Sequence, residues 1–230
     1  MAYRIPTRLF SFFVLFSFVA FNACKKADNP PNADGAYIRF INTSPTLGTY
    51  NIYFDDKIVN TMAVPFGGTV SYKPYVAGSY SVKYTTATNP ESILTKQISL
   101  ASKKIYSLYL VDKDDKLDAL LVTDDASATS TTKAFVKFIN LSPDAPALGL
   151  DIAQGASLFT NKTYKTGTEF VEVDAKAYTF EIMDSGSGTL KASLPELTLA
   201  AGRYYTIIAR GMINPGPNDQ GFGAQSIINQ

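Results

Sequence analysis

The segment AYIRFINTSP begins at Ala36, and AFVKFINLSP begins 98 residues later at Ala134. Six of the ten positions are identical: the Ala, Phe, Ile, Asn, Ser and Pro. Three more exchange like for like, namely Tyr37 with Phe135, Ile38 with Val136 and Arg39 with Lys137. The correspondence continues at the same offset, with VAGSYSVKY from Val76 against DAKAYTFEI from Asp174. After a one-residue shift, ISLASKKIYSLYLV from Ile98 stands against LTLAAGRYYTIIAR from Leu197. Three recurrences in one order, at near-constant spacing, mark a tandem duplication with repeats of about 90 residues.

Each recurring block has strand character. AYIRFIN places Tyr37 and Arg39 on one side and Ile38 and Phe40 on the other, the period of two expected of a half-buried strand. The Asn-x-Ser-Pro that follows is turn chemistry, because Asn and Ser side chains bond nearby backbone and Pro ends a ladder. KKIYSLYLV, DKDDK and LDALLVTDD read as two strands around a charged hairpin loop, and INPGPNDQGFG takes the loop's place in the second repeat. No capped helical run of ten or more residues is present. Short strands separated by turn signals predict a β-sandwich in each repeat.

Composition narrows the chemistry. Of 230 residues, 46% are hydrophobic and 18% charged, which is globular, and the formal charge of +1 with no basic stripe gives no strong pull toward nucleic acid, so no nucleic-acid partner is expected. There is no His, and Cys24 is the single cysteine. Ser–His–Asp and Cys–His catalysis, Cys-based zinc sites and intrachain disulfides are therefore impossible.

The N-terminus reads as an address. Arg4 and Arg8 precede an uncharged apolar run over residues 9–21. As a helix this run reaches about 20 Å, short of a hydrocarbon core of roughly 30 Å, so it reads as a secretory signal. Ala23, Cys24 and the polar KKADNPPNADG then resemble the lipobox of a bacterial lipoprotein, although Phe21 and Asn22 stand where an aliphatic and a small residue are usual. That resemblance implies a lipidated Cys24 at the mature terminus, and several acyl chains anchor firmly.

FVKFINLSPDAPALGLDI over residues 135–152, AGSYSV over 77–82 and LAAGRYYTIIA over 199–209 carry a further likeness. The chain resembles the bacterial domain of unknown function 4397 over almost all of its length after Cys24. The first repeat departs from the opening pattern, with SPTLGTYNI where the second has SPDAPALGLDI. The resemblance implies no activity and no catalytic residues, because that family has none established.

Several residue groups are candidates for chemistry. Asp112, Asp114, Asp115, Asp118, Asp124 and Asp125 supply oxygen ligands of the kind calcium takes, but Lys113 and Lys116 interrupt them. They read as a solvated hairpin tip. Ser130 and Lys133 have the S-x-x-K spacing of some acylating enzymes but sit in a Ser/Thr-rich linker. Glu169, Glu172, Asp174 and Glu181 are carboxylates that a glycosidase could pair, although their alternating strand positions read as solvated faces. Tyr50, Tyr53, Tyr72, Tyr75, Tyr106 and Tyr109 could form a stacking platform for a ligand, or serve simply as strand residues. Asn161-Lys162-Thr163 fits a glycosylation sequon, which bacterial export makes uninformative.

The expectation is an all-β protein: two tandem Ig-like or Greek-key β-sandwich domains after an N-terminal lipoprotein signal peptide. Residues 1–23 are the signal, 24–35 a flexible tether, 36–125 the first domain, 126–133 a linker and 134–230 the second domain. Cys24 is the lipidation site, with no catalytic residue, no metal ligand and no cofactor expected, and the ligand-binding residues unassigned. The expected partners are a membrane through the lipid anchor and a glycan or envelope protein. The expected location is the outer membrane, on its surface or periplasmic face. The expected role is non-catalytic binding or structure; the alternatives are a carboxylate-type glycan hydrolase and a subunit of an envelope assembly.

Overall fold

Asn-x-Ser-Pro is the joint on which both halves turn. A computed structural model of the chain describes Met1 and residues 35–229. The rest of the expected signal segment, Cys24 and the tether to residue 34 lie outside the described residues. In the first half, Asn42 accepts the Ser44 N–H at 3.1 Å and donates to the Val64 carbonyl at 3.1 Å, while the Ser44 hydroxyl donates to the Asp112 carbonyl at 2.7 Å. In the second half, Asn140 accepts the Ser142 N–H at 3.1 Å and donates to the Lys162 carbonyl at 3.0 Å, while the Ser142 hydroxyl donates to the Gly211 carbonyl at 2.7 Å. The motif recurs because one buried polar turn must be satisfied twice.

The strands follow the duplication. The first half runs β1 (Ala36–Asn42), β2 (Tyr50–Phe54), β3 (Lys57–Ile58) and β4 (Thr69–Tyr75). It continues with β5 (Gly78–Thr86), β6 (Ser92–Leu100), β7 (Ile105–Val111) and β8 (Asp118–Thr123). The second half runs β9 (Lys133–Asn140), β10 (Leu148–Ile152), β11 (Ser157–Lys162), β12 (Thr166–Gly167) and β13 (Val171–Asp174). It continues with β14 (Ala177–Tyr178), β15 (Phe180–Asp184), β16 (Leu190–Ser193), β17 (Leu197–Thr198), β18 (Tyr204–Arg210) and β19 (Gly223–Ile228).

Each half is a two-sheet sandwich. Sheet β4-β1-β7-β8 faces β3-β2-β5-β6, and β12/β13-β9-β18-β19 faces β11-β10-β15-β16, with β14-β17 as a short extra pair. In both halves the first strand pairs in parallel with the strand of the Tyr-rich block, β1 with β7 and β9 with β18. The turn before that strand is closed alike: the Tyr106 hydroxyl accepts the Ala101 N–H at 3.1 Å and the Tyr205 hydroxyl accepts the Ala200 N–H at 2.9 Å. Pro195 has no N–H for the ladder, and β16 and β17 are separate where the first half has one strand, β6. The all-β sandwich expectation holds.

Each sandwich has its own apolar core. Ile38, Phe40, Ile52, Tyr84 and Leu108 lead the first, and Val136, Phe138, Leu150, Phe180 and Ile207 the second. A third cluster of Ile41, Tyr109, Val111, Ile139, Leu141, Ile208 and Ile227 draws on both halves. It lies on the other faces of β1, β7, β9 and β18, so these strands are buried on both sides. The sequence predicted a half-buried β1 with Tyr37 and Arg39 together on one face. Instead, Arg39 is 3% exposed and Lys137, its repeat equivalent, 2%.

These two cations share Asp124, which is itself 1% exposed. Lys137 Nζ lies 2.5 Å from Asp124 Oδ1, and Arg39 Nη2 lies 3.8 Å from Oδ2. The hydroxyls of Tyr72 (2.8 Å) and Ser107 donate to Oδ2. Each cation also faces an aromatic ring of its own half, Arg39 over Tyr72 and Lys137 over Phe170, both at 4.7 Å. Each then crosses the seam. Arg39 Nη1 donates to the Ile228 carbonyl at 2.9 Å and Lys137 Nζ to the Thr123 carbonyl at 3.3 Å. Ile228 and Thr123 are the last residues of the equivalent strands β19 and β8, so the contacts are reciprocal, as across a two-fold axis. Between the sandwiches, the Tyr204 hydroxyl donates to the Ala128 carbonyl, and the Ser130 hydroxyl accepts the Lys133 N–H at 2.9 Å.

Removing one member of a buried ion pair leaves the others uncompensated, which costs about 3–5 kcal/mol. Asp124→Ala is therefore expected to lower the unfolding free energy in urea by that amount, whereas Asp125→Ala, at an exposed neighbour, changes it by less than about 0.5 kcal/mol. Equal effects from the two variants would contradict a buried charge cluster at the seam.

Candidate functional site

The loops that leave the C-terminal ends of β1, β7 and β18 meet at one end of the molecule, opposite the start of β1. There, the Gln220 N–H donates to the Pro45 carbonyl at 3.0 Å, and Thr46 forms a bridge with Asp219. Lys113 Nζ holds both Asp219 oxygens, at 2.6 and 2.7 Å. Loop 211–222 of the second half thus closes onto the first. Its geometry begins at Gly211, whose φ of +80° and whose approach to Gly221 leave no room for a side chain: a Cβ there would lie 2.1 Å from the Gly221 carbonyl oxygen.

Two further loops cross the seam reciprocally. Phe66 of the first half packs under the Arg210 guanidinium at 4.1 Å, and Gln225 donates to the Gly67 carbonyl at 2.9 Å. At the equivalent place in the second half, Lys165 pairs with Asp112 at 2.7 Å and Asp118 at 3.3 Å. Burial, outweighed by hydrogen bonds led by that from Lys96, leaves the Asp118 carboxyl below its ordinary range. Burial pushes the Tyr164 hydroxyl up, reinforced by Asp112, and pushes the Tyr72 hydroxyl up, reinforced by Asp124, so both stay protonated, and Tyr72 donates to Asp124.

Between the loops lies a cleft of about 420 Å³ lined by Thr46, Leu47, Gly48, Lys113, Asp114 and residues 216–219. It has the Lys113–Asp219 pair in its wall and an apolar side chain, Leu47, exposed at its rim. Tyr50 stands behind it, its hydroxyl 2.7 Å from Thr46 Oγ1. The cleft offers donors, acceptors and a small apolar surface, the mixture that binds a polar ligand in a fixed orientation.

The structure disperses most of the residues singled out from sequence. Of the acidic run, Asp124 is in the seam, Asp112 and Asp118 pair with Lys165, and Asp114 lines the tip cleft. Among the described residues no group of three or more potential metal ligands is assembled. Ser130 bonds the Lys133 backbone, while Lys133 Nζ pairs with Asp174 at 2.6 Å. Glu169 and Glu172 do come together, with Asp125, on a pocket of about 280 Å³ beside Phe170 and Tyr204; Glu181 lies on β15, in another sheet. The tyrosines form no single platform. Tyr75 packs with Phe54 and Tyr80, Tyr53 lies under Lys83, and Tyr72 and Tyr109 face the seam. Asn161 is exposed, with a φ of 57°. Sequence reasoning missed the roles of Lys113, Asp219 and Arg39. The repeat register, which sets Arg39 opposite Lys137, carried a signal for Arg39 alone.

Lys113, followed by the Gly216 N–H, holds the Asp219 carboxyl below its ordinary range. A depressed carboxyl contributes its stabilisation above the ordinary Asp value and loses it as pH falls through the lower value in the fold. Hydrogen exchange of the Gln220 amide, corrected for its intrinsic rate, is expected to be slow at neutral pH and to quicken below about pH 4. In Lys113→Met it should be fast throughout. A Gln220 amide equally protected in both proteins would remove the ion pair from the tip's closure.

No curated protein matches the chain. Among solved structures, the Bacillus anthracis TIE protein is 11% identical with a TM-score of 0.25, over 78% of this chain and 34% of that one, so the chain spans about a third of its length. A family 26 carbohydrate-binding module from Eubacterium rectale Amy13K, in complex with maltoheptaose, is 11% identical with a TM-score of 0.26 over 84% of this chain and 95% of that one. A DUF3823 family protein from Bacteroides ovatus is 8% identical with a TM-score of 0.21 over 72% and 98%. Likenesses this loose bear on neither fold nor function. A family model does match, over residues 36–153, which take in the whole first sandwich and run on through β10. The chain belongs to the family described as Domain of unknown function (DUF4397).

Proposed function

We propose that this protein is a non-catalytic, lipid-anchored binding protein of the cell envelope, in which two tandem copies of the family domain present one composite tip. The observation that carries this reading is the tip cleft itself, lined by residues 46–48 and 113–114 of one half and 216–219 of the other. A duplication that merely lengthened a spacer would have no need to stitch its distal loops together. Chain direction supports the reading, because the described chain enters at the start of β1 and the cleft lies beyond its other end. Seven residues of strand separate the two by about 23 Å. A glycan is the ligand class that suits the cleft: hydroxyl, amide, carboxylate and ammonium groups can meet sugar hydroxyls, and Leu47 and Pro217 can meet the apolar face of a ring. Lipidation at Cys24 and an outer-membrane location belong to the same proposal.

Cys24→Ser is expected to move the protein from the membrane pellet to the soluble fraction and to abolish labelling by radioactive palmitate. Retention in the pellet would defeat the anchor. Binding of the full chain to immobilised envelope polysaccharide is expected to weaken about tenfold or more in Lys113→Ala, roughly the loss of one charged hydrogen bond, with an unchanged melting temperature. Undiminished binding would move the site elsewhere.

One observation favours a second reading, a carboxylate-type glycan hydrolase: Asp125, Glu169 and Glu172 share a pocket with Phe170. It requires release of reducing sugar by the wild type and its loss in Glu172→Gln.

A further inference from the structure

We propose that Lys137 and Asp124 condense into a side-chain amide, a covalent lock between the two sandwiches. The inference is independent of the tip and its ligand. Nζ and Oδ1 are 2.5 Å apart, in a pair whose side chains are 2% and 0% exposed, so Cγ lies one bond beyond an amine already in contact. Holding two reactants in this way replaces a bimolecular encounter with a unimolecular step.

The carboxylate is also held at its other oxygen. Ser107 and Tyr72 donate to Oδ2, and Arg39 Nη2, which makes no hydrogen bond of its own, stands 3.8 Å from it. When an amine adds to a carboxyl carbon, negative charge develops on the oxygen that stays. Donors fixed at that oxygen beforehand stabilise the tetrahedral intermediate. The amine is equally confined. Its hydrogens face the Thr123 carbonyl at 3.3 Å and the Phe170 ring at 4.7 Å, and the apolar seam limits the water that would reverse the reaction.

The step balances within the pair. One proton passes from Nζ to Oδ1, and the freed lone pair on Nζ forms a bond to Cγ as the C–Oδ2 π electrons move onto Oδ2. A second Nζ proton passes to Oδ1, the Oδ2 electrons restore the double bond, and the Cγ–Oδ1 bond breaks with Oδ1 leaving as water. An ammonium and a carboxylate become one secondary amide and one water, with no oxidant, reductant or cofactor. The amide ties β9 to the residue that follows β8, across the seam that both repeats bury. Asn229 stands at the position equivalent to Asp124 and bonds Thr206 at 2.7 Å, which leaves a single carboxylate for the two buried cations.

The test is a tryptic map of the full chain, denatured before digestion and read by mass spectrometry. An acylated lysine is no longer a cleavage site. The expected product is therefore peptide 117–133 joined to peptide 134–162, lighter by one water than the two together. Lys137→Arg, which keeps the cation but has no primary amine, should yield peptide 117–133 free. Recovery of free 117–133 and free 134–137 in full yield from the wild type would overturn the proposal. A branched peptide that persisted in Lys137→Arg would also overturn it, by assigning the link to another lysine.

Discussion

One carboxylate between two cations governs how this molecule is assembled. Asp124 comes from the end of the first sandwich and Lys137 from the first strand of the second, yet both are out of water. Burying three charges costs several kcal/mol for each ion, and attraction offsets that cost only when the remaining polar atoms are also satisfied. Here Ser107, Tyr72, Thr123 and Ile228 supply most of those bonds. The seam therefore contributes more to specificity than to net stability. A purely apolar interface of Ile41, Tyr109, Ile139 and Ile208 would tolerate sliding of one sheet over the other. Arg39 and Lys137 allow one register, because only one brings both to Asp124 and to the paired carbonyls of β8 and β19.

The duplication explains why such a seam exists. Arg39 and Lys137, Tyr72 and Phe170, and Thr123 and Ile228 occupy matching places and make matching contacts. This is the signature of an isologous interface, in which one surface is complementary to itself. Fusing two such units into one chain makes the partner permanent and frees each half to diverge. Divergence is visible at Asp124 against Asn229, and at Asp112 against Gly211. It is clearest where loop 211–222 replaces the short hairpin containing Asp114–Lys116.

Sequence periodicity located the strands well, because alternation reports two faces wherever at least one is buried. It could not report what covers the second face. Arg39 in AYIRFIN and Lys137 in AFVKFIN look like solvent-facing charges, since a cation on an alternating strand normally is one. The burial of Arg39 depends on contacts 85 residues away in sequence, with Asp124, and 189 away, with Ile228, while that of Lys137 depends on Asp124 and Thr123 across the linker, and no strand periodicity encodes either. Asp124 was visible only as part of an acidic run that suggested calcium. The structure divides that run among three tasks, because Asp118 opens β8 and Asp124 follows its far end.

The tip was still less legible, for a physical reason. A Gly/Pro-rich loop such as INPGPNDQGFG signals a turn and conceals its partner. Its placement rests on Gly211, where the chain must turn with a positive φ against Gly221, and on Lys113, thrown outward by the left-handed Asp112 and Asp114 on either side. Those backbone choices belong to different repeats and have meaning only after the seam has brought them together. The buried charge cluster is thus the condition for the tip. Without the register that Asp124 imposes, Lys113 and Asp219 would have no reason to meet, and the cleft between the two halves would have one wall.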